Sequence, residues 1–524
     1  MAPASLHRLP IEVLHMILGY LRFHCSGGRL PEPPDAYFCG DQQEPDQPAW
    51  YSLKLQPLVS LCLVSRRLCK VAQGFLYHDF MLGYGDSWRS ELYTWDGRLT
   101  SFMRTVAHRR DLAAHVKRIY IHPYLLECFD EEKALDEHEA ASEWPGSEWP
   151  GPGCPSTPML HRAHPRQRIS EDEARSALRE VAHALKIRSL KQLSARDLVT
   201  VLILELPNLE HCSLQVGLYK EDVAPSRALQ AAGISHLPIK TIDVSLRASS
   251  LEAHHHSLFY LDQRVGALLD VSQCLETLNL HMCYGSSTGL FPTLPNLKNL
   301  RLSFSRFSER NLRGLLSSCR SLRTFLYEAT YAPYNPDVDL FRGYDHFQLS
   351  DAVKYLSLHR ETLESVHLDL RKRGLTFSPP VPRAIFSLKK FTVLKDLFLN
   401  LDEFHTRFMA ADPLGDQELL VQILPSSIVS LNLAGSITEE LPRLEESLFG
   451  LAHAVSHGQF PKLKQVRWDE KEKLNDELGV RSMFATAGVN FDYNRWPMSM
   501  TTLGDGDWSP QPNYYNIFSE DPDL

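Results

Sequence analysis

What this chain lacks narrows its chemistry first. Its ten cysteines are scattered over 524 residues, and no two form a Cys-x-x-Cys pair. That usage reads as reduced, mostly buried thiols of an intracellular protein of the cytoplasm or nucleus, not as a disulfide scaffold. No apolar run approaches the roughly 20 residues that span a bilayer. The N-terminus also lacks the charged start and apolar core of a secretion signal, so no membrane partner is expected. Positive charge is in deficit: 55 Lys and Arg stand against 64 Asp and Glu, a net charge of −9. A chain of that sign is a poor non-specific binder of nucleic acid, and none is expected as a partner.

Signatures of catalysis are missing as well. Neither G-x-x-x-x-G-K-[ST] nor G-x-G-x-x-G follows a strand, so there is no backbone cradle for phosphates. H-E-x-x-H and the G-x-S-x-G nucleophile elbow are absent. His254-His255-His256 is the nearest approach to a metal cluster. Consecutive residues point in different directions, however, and rarely converge on one ion. No catalytic residue, metal or cofactor is expected, which leaves a non-enzymatic reading in front. An α/β hydrolase or transferase with an unrecognised site stays open beside it.

What is present is ordinary globular material, 43% hydrophobic and 23% charged, long enough for two or three domains. At the start, Leu14, Ile17, Leu18 and Leu21 recur at i, i+3, i+4 and i+7, one stripe of an α-helix. Pro10 suits its first turn. Residues 58–77 hold two further apolar helices, with Ser65 placed to cap the second and Leu68, Val71, Ala72 and Phe75 on its inner face. Taken alone, the first stripe could be an amphipathic helix closing a larger domain.

From about residue 110 one short pattern recurs: apolar, two of anything, apolar, one of anything, apolar. The clearest copies are Leu275-x-x-Leu278-x-Leu280, Leu297-x-x-Leu300-x-Leu302, Leu394-x-x-Leu397-x-Leu399 and Ile428-x-x-Leu431-x-Leu433. Looser ones are Val116/Ile119/Ile121, Leu209/Cys212/Leu214, Ile239/Ile242/Val244, Leu322/Phe325/Tyr327, Leu363/Val366/Leu368 and Leu463/Val466/Trp468. The last two apolar positions are two apart, as on one face of a strand. Helical segments fall between, at 308–318 and 350–359. Ser170-x-x-Glu173 and Ser194-x-x-Asp197 mark further helix starts. Strand plus helix, repeated, predicts stacked units that bury their leucines against one another. Copies start 22 and 25 residues apart from Leu275 to Leu297 to Leu322 and 31 to 41 apart from there to Leu463, and the asparagine that closes a standard repeat is missing. A non-repetitive α/β domain with several parallel strands is the alternative.

Two resemblances follow from these residues. Leu9-Pro10, Glu12-Val13-Leu14, Ile17-Leu18 and Leu21, followed by Leu61-Cys62-Leu63-Val64-Ser65-Arg66-Arg67-Leu68, resemble an F-box over about 80 residues. The recurring pattern is similar to the irregular leucine-rich-repeat C-terminal halves of fungal F-box proteins. The resemblance implies an α/β protein: a small N-terminal three-helix F-box, then an irregular leucine-rich-repeat-like solenoid with a curved parallel sheet. The expected domains are residues 1–80 with a long insert at 22–56, then 81–490 with a disordered insert at about 130–168, then a tail at 491–524. The insert carries a tandem Ser-Glu-Trp-Pro-Gly with Trp144 and Trp149.

It also implies a substrate receptor of a cullin–RING ubiquitin ligase. Leu9, Pro10, Val13, Leu14, Ile17, Leu18, Leu63 and Val64 would bind a Skp-family adaptor and, through it, a cullin. A target protein would lie on residues between the inward leucines, among them Asn279, His281, Arg301, His367, Asp369 and Phe398. Tyr331, Tyr334 and Tyr344, in an aromatic-rich insert, would join them. The contribution to catalysis would be proximity alone. A repeat-based binding scaffold whose N-terminal helices merely cap the array remains the rival.

Overall fold

The computed structural model describes residues 9–20, 50–81, 98–121, 198–216, 233–246, 258–329, 347–370, 386–400, 415–435, 441–469 and 473–494, with a few positions near 176–183 and Leu229. Three helices come first: α1 (Ile11–Gly19), α2 (Trp50–Val64) and α3 (Arg66–Leu76). They enclose a small core of Leu14, Leu18, Leu58, Leu68, Val71, Ala72 and Phe75. Helix α2 begins at Trp50 and runs through Pro57, so the insert expected to reach residue 56 ends earlier. A proline removes one intrahelical hydrogen bond and kinks the helix. Here the apolar residues on either side, with Leu58 fully buried, outweigh that cost. Ser65 caps α3 as its sequence position predicts, accepting the Leu68 N–H at 3.3 Å.

All ten copies of the recurring pattern become strands of one parallel sheet. Its twelve strands are β1 (Asp79–Met81), β2 (Arg118–Ile121), β3 (His211–Val216), β4 (Thr241–Leu246), β6 (Thr277–His281), β8 (Asn299–Ser305), β9 (Thr324–Ala329), β10 (Ser365–Asp369), β11 (Asp396–Asn400), β12 (Ser430–Ala434), β13 (Gln465–Asp469) and β14 (Asn490–Asn494). They pair in this order, with β1 and β14 at the two ends and β4, β6 and β8 pairing past β5 and β7. The sheet also takes in residues 491–494, which the sequence reading assigns to a tail. Residues β5 (Phe259–Tyr260) and β7 (Cys283–Gly285) form a separate two-stranded sheet.

The register is the physical consequence of the repeat. Ile119, Cys212, Ile242, Leu278, Leu300, Phe325, Val366, Leu397, Leu431, Val466 and Phe491 stand opposite one another across the ladder. A one-residue slip would turn this whole row to the other face. These side chains, and the second row two residues on, belong to one continuous core running from Leu99 to Phe491. Helices on the far side close it. Glu309–Ser318 is capped by Ser308, which accepts the Asn311 N–H at 3.2 Å. Leu349–Leu356 carries a capping box between Gln348 and Asp351. The lead-in Leu-Pro-Asn-Leu also has a job. Asn208 and Asn296 each donate a side-chain N–H to the preceding turn, to Ala114 O and Gln273 O, both at 2.8 Å.

The 130–168 insert, the starts at Ser170 and Ser194, and His254 to His256 lie outside the described residues.

Candidate functional site

Helices α1 and α2 leave a surface that a water-soluble core does not explain. Leu14 and Leu18, one turn apart, face inward and are 1% and 3% exposed. They are core residues and unavailable to an adaptor, contrary to the sequence reading. The helical period is the reason: Ile17 is rotated by about 100° from Leu18, and it stays outside the core at 40% exposure. Pro10 is exposed, and Leu9 and Val13 are half-buried. Leu63 and Val64 are 84% and 63% exposed. Four residues absent from the sequence-based set join them: Ile11 and Met16 on α1, Tyr20 at its C-terminal cap, and Val59 on α2. Their spacing was a readable signal, since Met16/Tyr20 and Val59/Leu63 are both i, i+4 pairs.

Two contacts tie α1 to α3. The Arg67 guanidinium donates to Leu9 O at 2.5 Å, tying the start of α3 to the start of α1. His15 lies against Phe75 with ring centroids 5.4 Å apart. A large apolar side chain gains roughly 1.5–3 kcal/mol on full burial, a gain that each of these exposed residues leaves unrealised. Where exposed apolar side chains adjoin in a contiguous patch, they mark a protein or membrane contact.

The second expected surface is the polar face of the sheet, and it divides into two rows. In the first row Asn279 and Arg301 are half-buried neighbours on β6 and β8. Asn279 donates to Asp243 Oδ1 at 2.6 Å, and Asp243 Oδ2 lies 2.5 Å from His211 Nε2, so three strands share one polar cluster. Further along, His367 stacks flat on Phe398, with centroids 3.9 Å apart, and lies 3.9 Å from the Glu328 carboxylate. Phe398 is itself buried, at 3% exposure.

The second row differs from expectation, because His281 and Asp369 are buried, not open to a partner. His281 hydrogen-bonds Ser303 Oγ through Nδ1 at 3.1 Å and meets Phe304 edge-on. The row is buried for a reason the sequence reading missed. Where these strands end, polar side chains close the preceding repeat. Ser305 Oγ accepts the Cys283 N–H, Asn400 Oδ1 accepts the Leu370 N–H, and Asp469 Oδ2 accepts the Gly435 N–H, at 3.2, 3.1 and 3.1 Å. The absent asparagine therefore has substitutes, legible as a polar residue near each strand's end. Left-handed backbone at Met282 (φ 64°), Phe304 (φ 47°) and Gly435 (φ 122°) marks the same turn. Tyr331, Tyr334 and Tyr344 lie outside the described residues.

Buried titratable groups are dispersed. Burial pushes the Glu205 carboxyl up to about 7, outweighing Arg110, whose Nη1 lies 2.6 Å from Glu205 Oε2. Burial also lowers the His359 pKa; its Nε2 lies 3.0 Å from Leu316 O. Among the described residues no three His, Cys, Asp or Glu side chains are grouped to hold a metal ion. No described helix is long and apolar enough to cross a membrane.

No protein-family model matches this chain, and no curated protein matches it. Among solved structures, an internalin from Listeria monocytogenes is similar at a TM-score of 0.23 and 12% identity, over 63% of this chain and 93% of that one.

Proposed function

We propose that this protein is a protein-interaction receptor: a leucine-rich-repeat-like solenoid that holds a target, joined to an F-box that docks a Skp-family adaptor of a cullin–RING ubiquitin ligase. The observation that carries the reading is the apolar surface of α1 and α2, led by Met16 at 63%, Leu63 at 84% and Val64 at 63% exposure. Support for the repeat half comes from the sheet, whose strands pair strictly in chain order, as stacked repeats do.

One observation favours the rival in which α1 to α3 only cap the array. Helix α3 runs into β1, Phe80 stacks on Phe102 at 3.8 Å, and Lys117 N donates to His78 O at 2.8 Å. Terminal caps, however, present a polar outer face. This one is apolar, which weighs toward docking.

The test is co-purification of the full chain with a Skp-family adaptor. Wild type is expected to retain it, and Leu63→Glu with Met16→Glu to lose it while keeping its melting temperature. Retention by the double variant, or none by wild type, leaves the capping scaffold.

A further inference from the structure

The residue just before each strand forms its own row along the sheet's edge, and the charge of that row changes character halfway. In the first half it alternates: Lys117, Glu210, Lys240, Glu276 and Lys298. Ion pairs at 2.7, 2.9 and 2.9 Å join Lys117 to Glu210, Lys240 to Glu210 and Lys298 to Glu276. From β9 onward the row reads Arg323, Glu364, Lys395, Val429 and Lys464. Backbone bonds hold it in line: Glu364 N to Arg323 O, Lys395 N to Glu364 O, Val429 N to Lys395 O, and Lys464 N to Val429 O, all at 2.8–2.9 Å. The alternation has broken, because Lys298 is followed by a second cation.

The turns below this half-row add Arg320, the pair Arg360–Glu361 and Lys462. Over β9 to β13 the rim thus carries six cations against two carboxylates, on a chain whose net charge is −9. Glu364 is matched by Lys395 at 2.6 Å, and Glu361 by Arg360 at 3.8 Å. Arg320, Arg323, Lys462 and Lys464 are exposed, with no carboxylate of the described residues at ion-pair distance. A groove of about 320 Å³ follows the rim, with Arg323, Lys395 and Lys462 on its walls beside Glu361 and Glu364, and Val393 and Val429 among its apolar lining.

We propose that this rim is a docking groove for an acidic peptide segment of a partner protein. Charge complementarity sets the sign of the ligand. The arrangement favours a peptide over nucleic acid, because Glu361 and Glu364 sit among the cations and would oppose an unbroken run of phosphates. Arg323, Lys395 and Lys464 precede every second strand, about 9.6 Å apart, and a peptide acid at Lys395 would share that ammonium with Glu364. A polyproline II peptide brings every third side chain to one face at about 9.3 Å, so acids at i, i+3 and i+6 match the row. The inference does not rest on the adaptor reading, since it concerns the opposite part of the chain.

Fluorescence anisotropy with the full chain tests it, using a labelled (Glu-Pro-Ala) repeat peptide, its (Gln-Pro-Ala) counterpart and a single-stranded oligonucleotide. The acidic peptide is expected to bind at least about tenfold tighter than the neutral one, weakening with salt. Lys462→Glu with Lys464→Glu should cost about tenfold or more, whereas Lys354→Glu on the helix Leu349–Leu356 should change nothing. Equal binding of the two peptides, an unaffected double reversal in a protein of unchanged melting temperature, or tighter binding of the oligonucleotide each overturns the proposal.

Discussion

At the scale of single residues, the informative positions are those where burial and chemistry disagree. Glu205 is a carboxylate with no exposed side-chain surface, held neutral up to about pH 7 by that burial. Its folded-state value is raised above the unfolded one, so its contribution to stability is present below about pH 4.5 and is lost as pH rises through about 7. Glu205→Gln should therefore raise stability at pH 8 by roughly 1–2 kcal/mol and flatten the profile between pH 5 and 8. Chemical denaturation of both proteins across that range checks it. His359 acts in the opposite sense. Its folded value is depressed, so its contribution is present above the ordinary imidazole value and lost as pH falls through the depressed one. Neither role was visible in the sequence, because a lone Glu or His in an apolar stretch does not disclose which way its backbone turns it. The same limit explains Leu14 and Leu18. A stripe at i, i+3, i+4 names a face about 100° wide, and only packing decides which edge of it is inside.

Elements were more legible. A spacing of two between apolar residues is a strand's own period, so the ten copies located ten strands, and a shared phase placed them in one register. Recognition was weaker where the signal was short. Strand β1 has three residues, the helix Leu441–Ser456 was not among the helical segments read, and the part of α2 up to Pro57 fell before the helix read from residue 58. Contacts between elements lay beyond pattern altogether. The helix Leu441–Ser456 approaches the turn at Asp416–Glu418 so closely that a Cβ on Gly450 would fall 1.9 Å from Gln417 O. Gly450→Ala should thus cost about 1–3 kcal/mol through overpacking, despite alanine's better helix propensity. A stabilised variant in urea denaturation would show that the two elements part without cost. Adjacent to them, Glu445 holds the turn before the last helix, accepting the backbone N–H groups of Asn475 and Asp476.

At the scale of the molecule, one core runs from Leu99 to Phe491 and a second, small one lies under α1 to α3. In the sequence the helical period is read up to residue 77 and the strand period from about residue 110, one on each side of the division. The candidate site was half legible: Ile17, Leu63 and Val64 were named from the F-box resemblance and are exposed, while His281 and Asp369 proved to be interior. Burying the α1–α2 patch against an adaptor removes apolar surface from water, and the robust mark of that is a negative heat-capacity change. Calorimetric titration of the full chain with a purified Skp-family adaptor at several temperatures tests this most directly. The docking reading predicts saturable one-to-one binding with a negative heat-capacity change, abolished by Leu63→Glu. No heat at any temperature, or binding that Leu63→Glu leaves untouched, contradicts it.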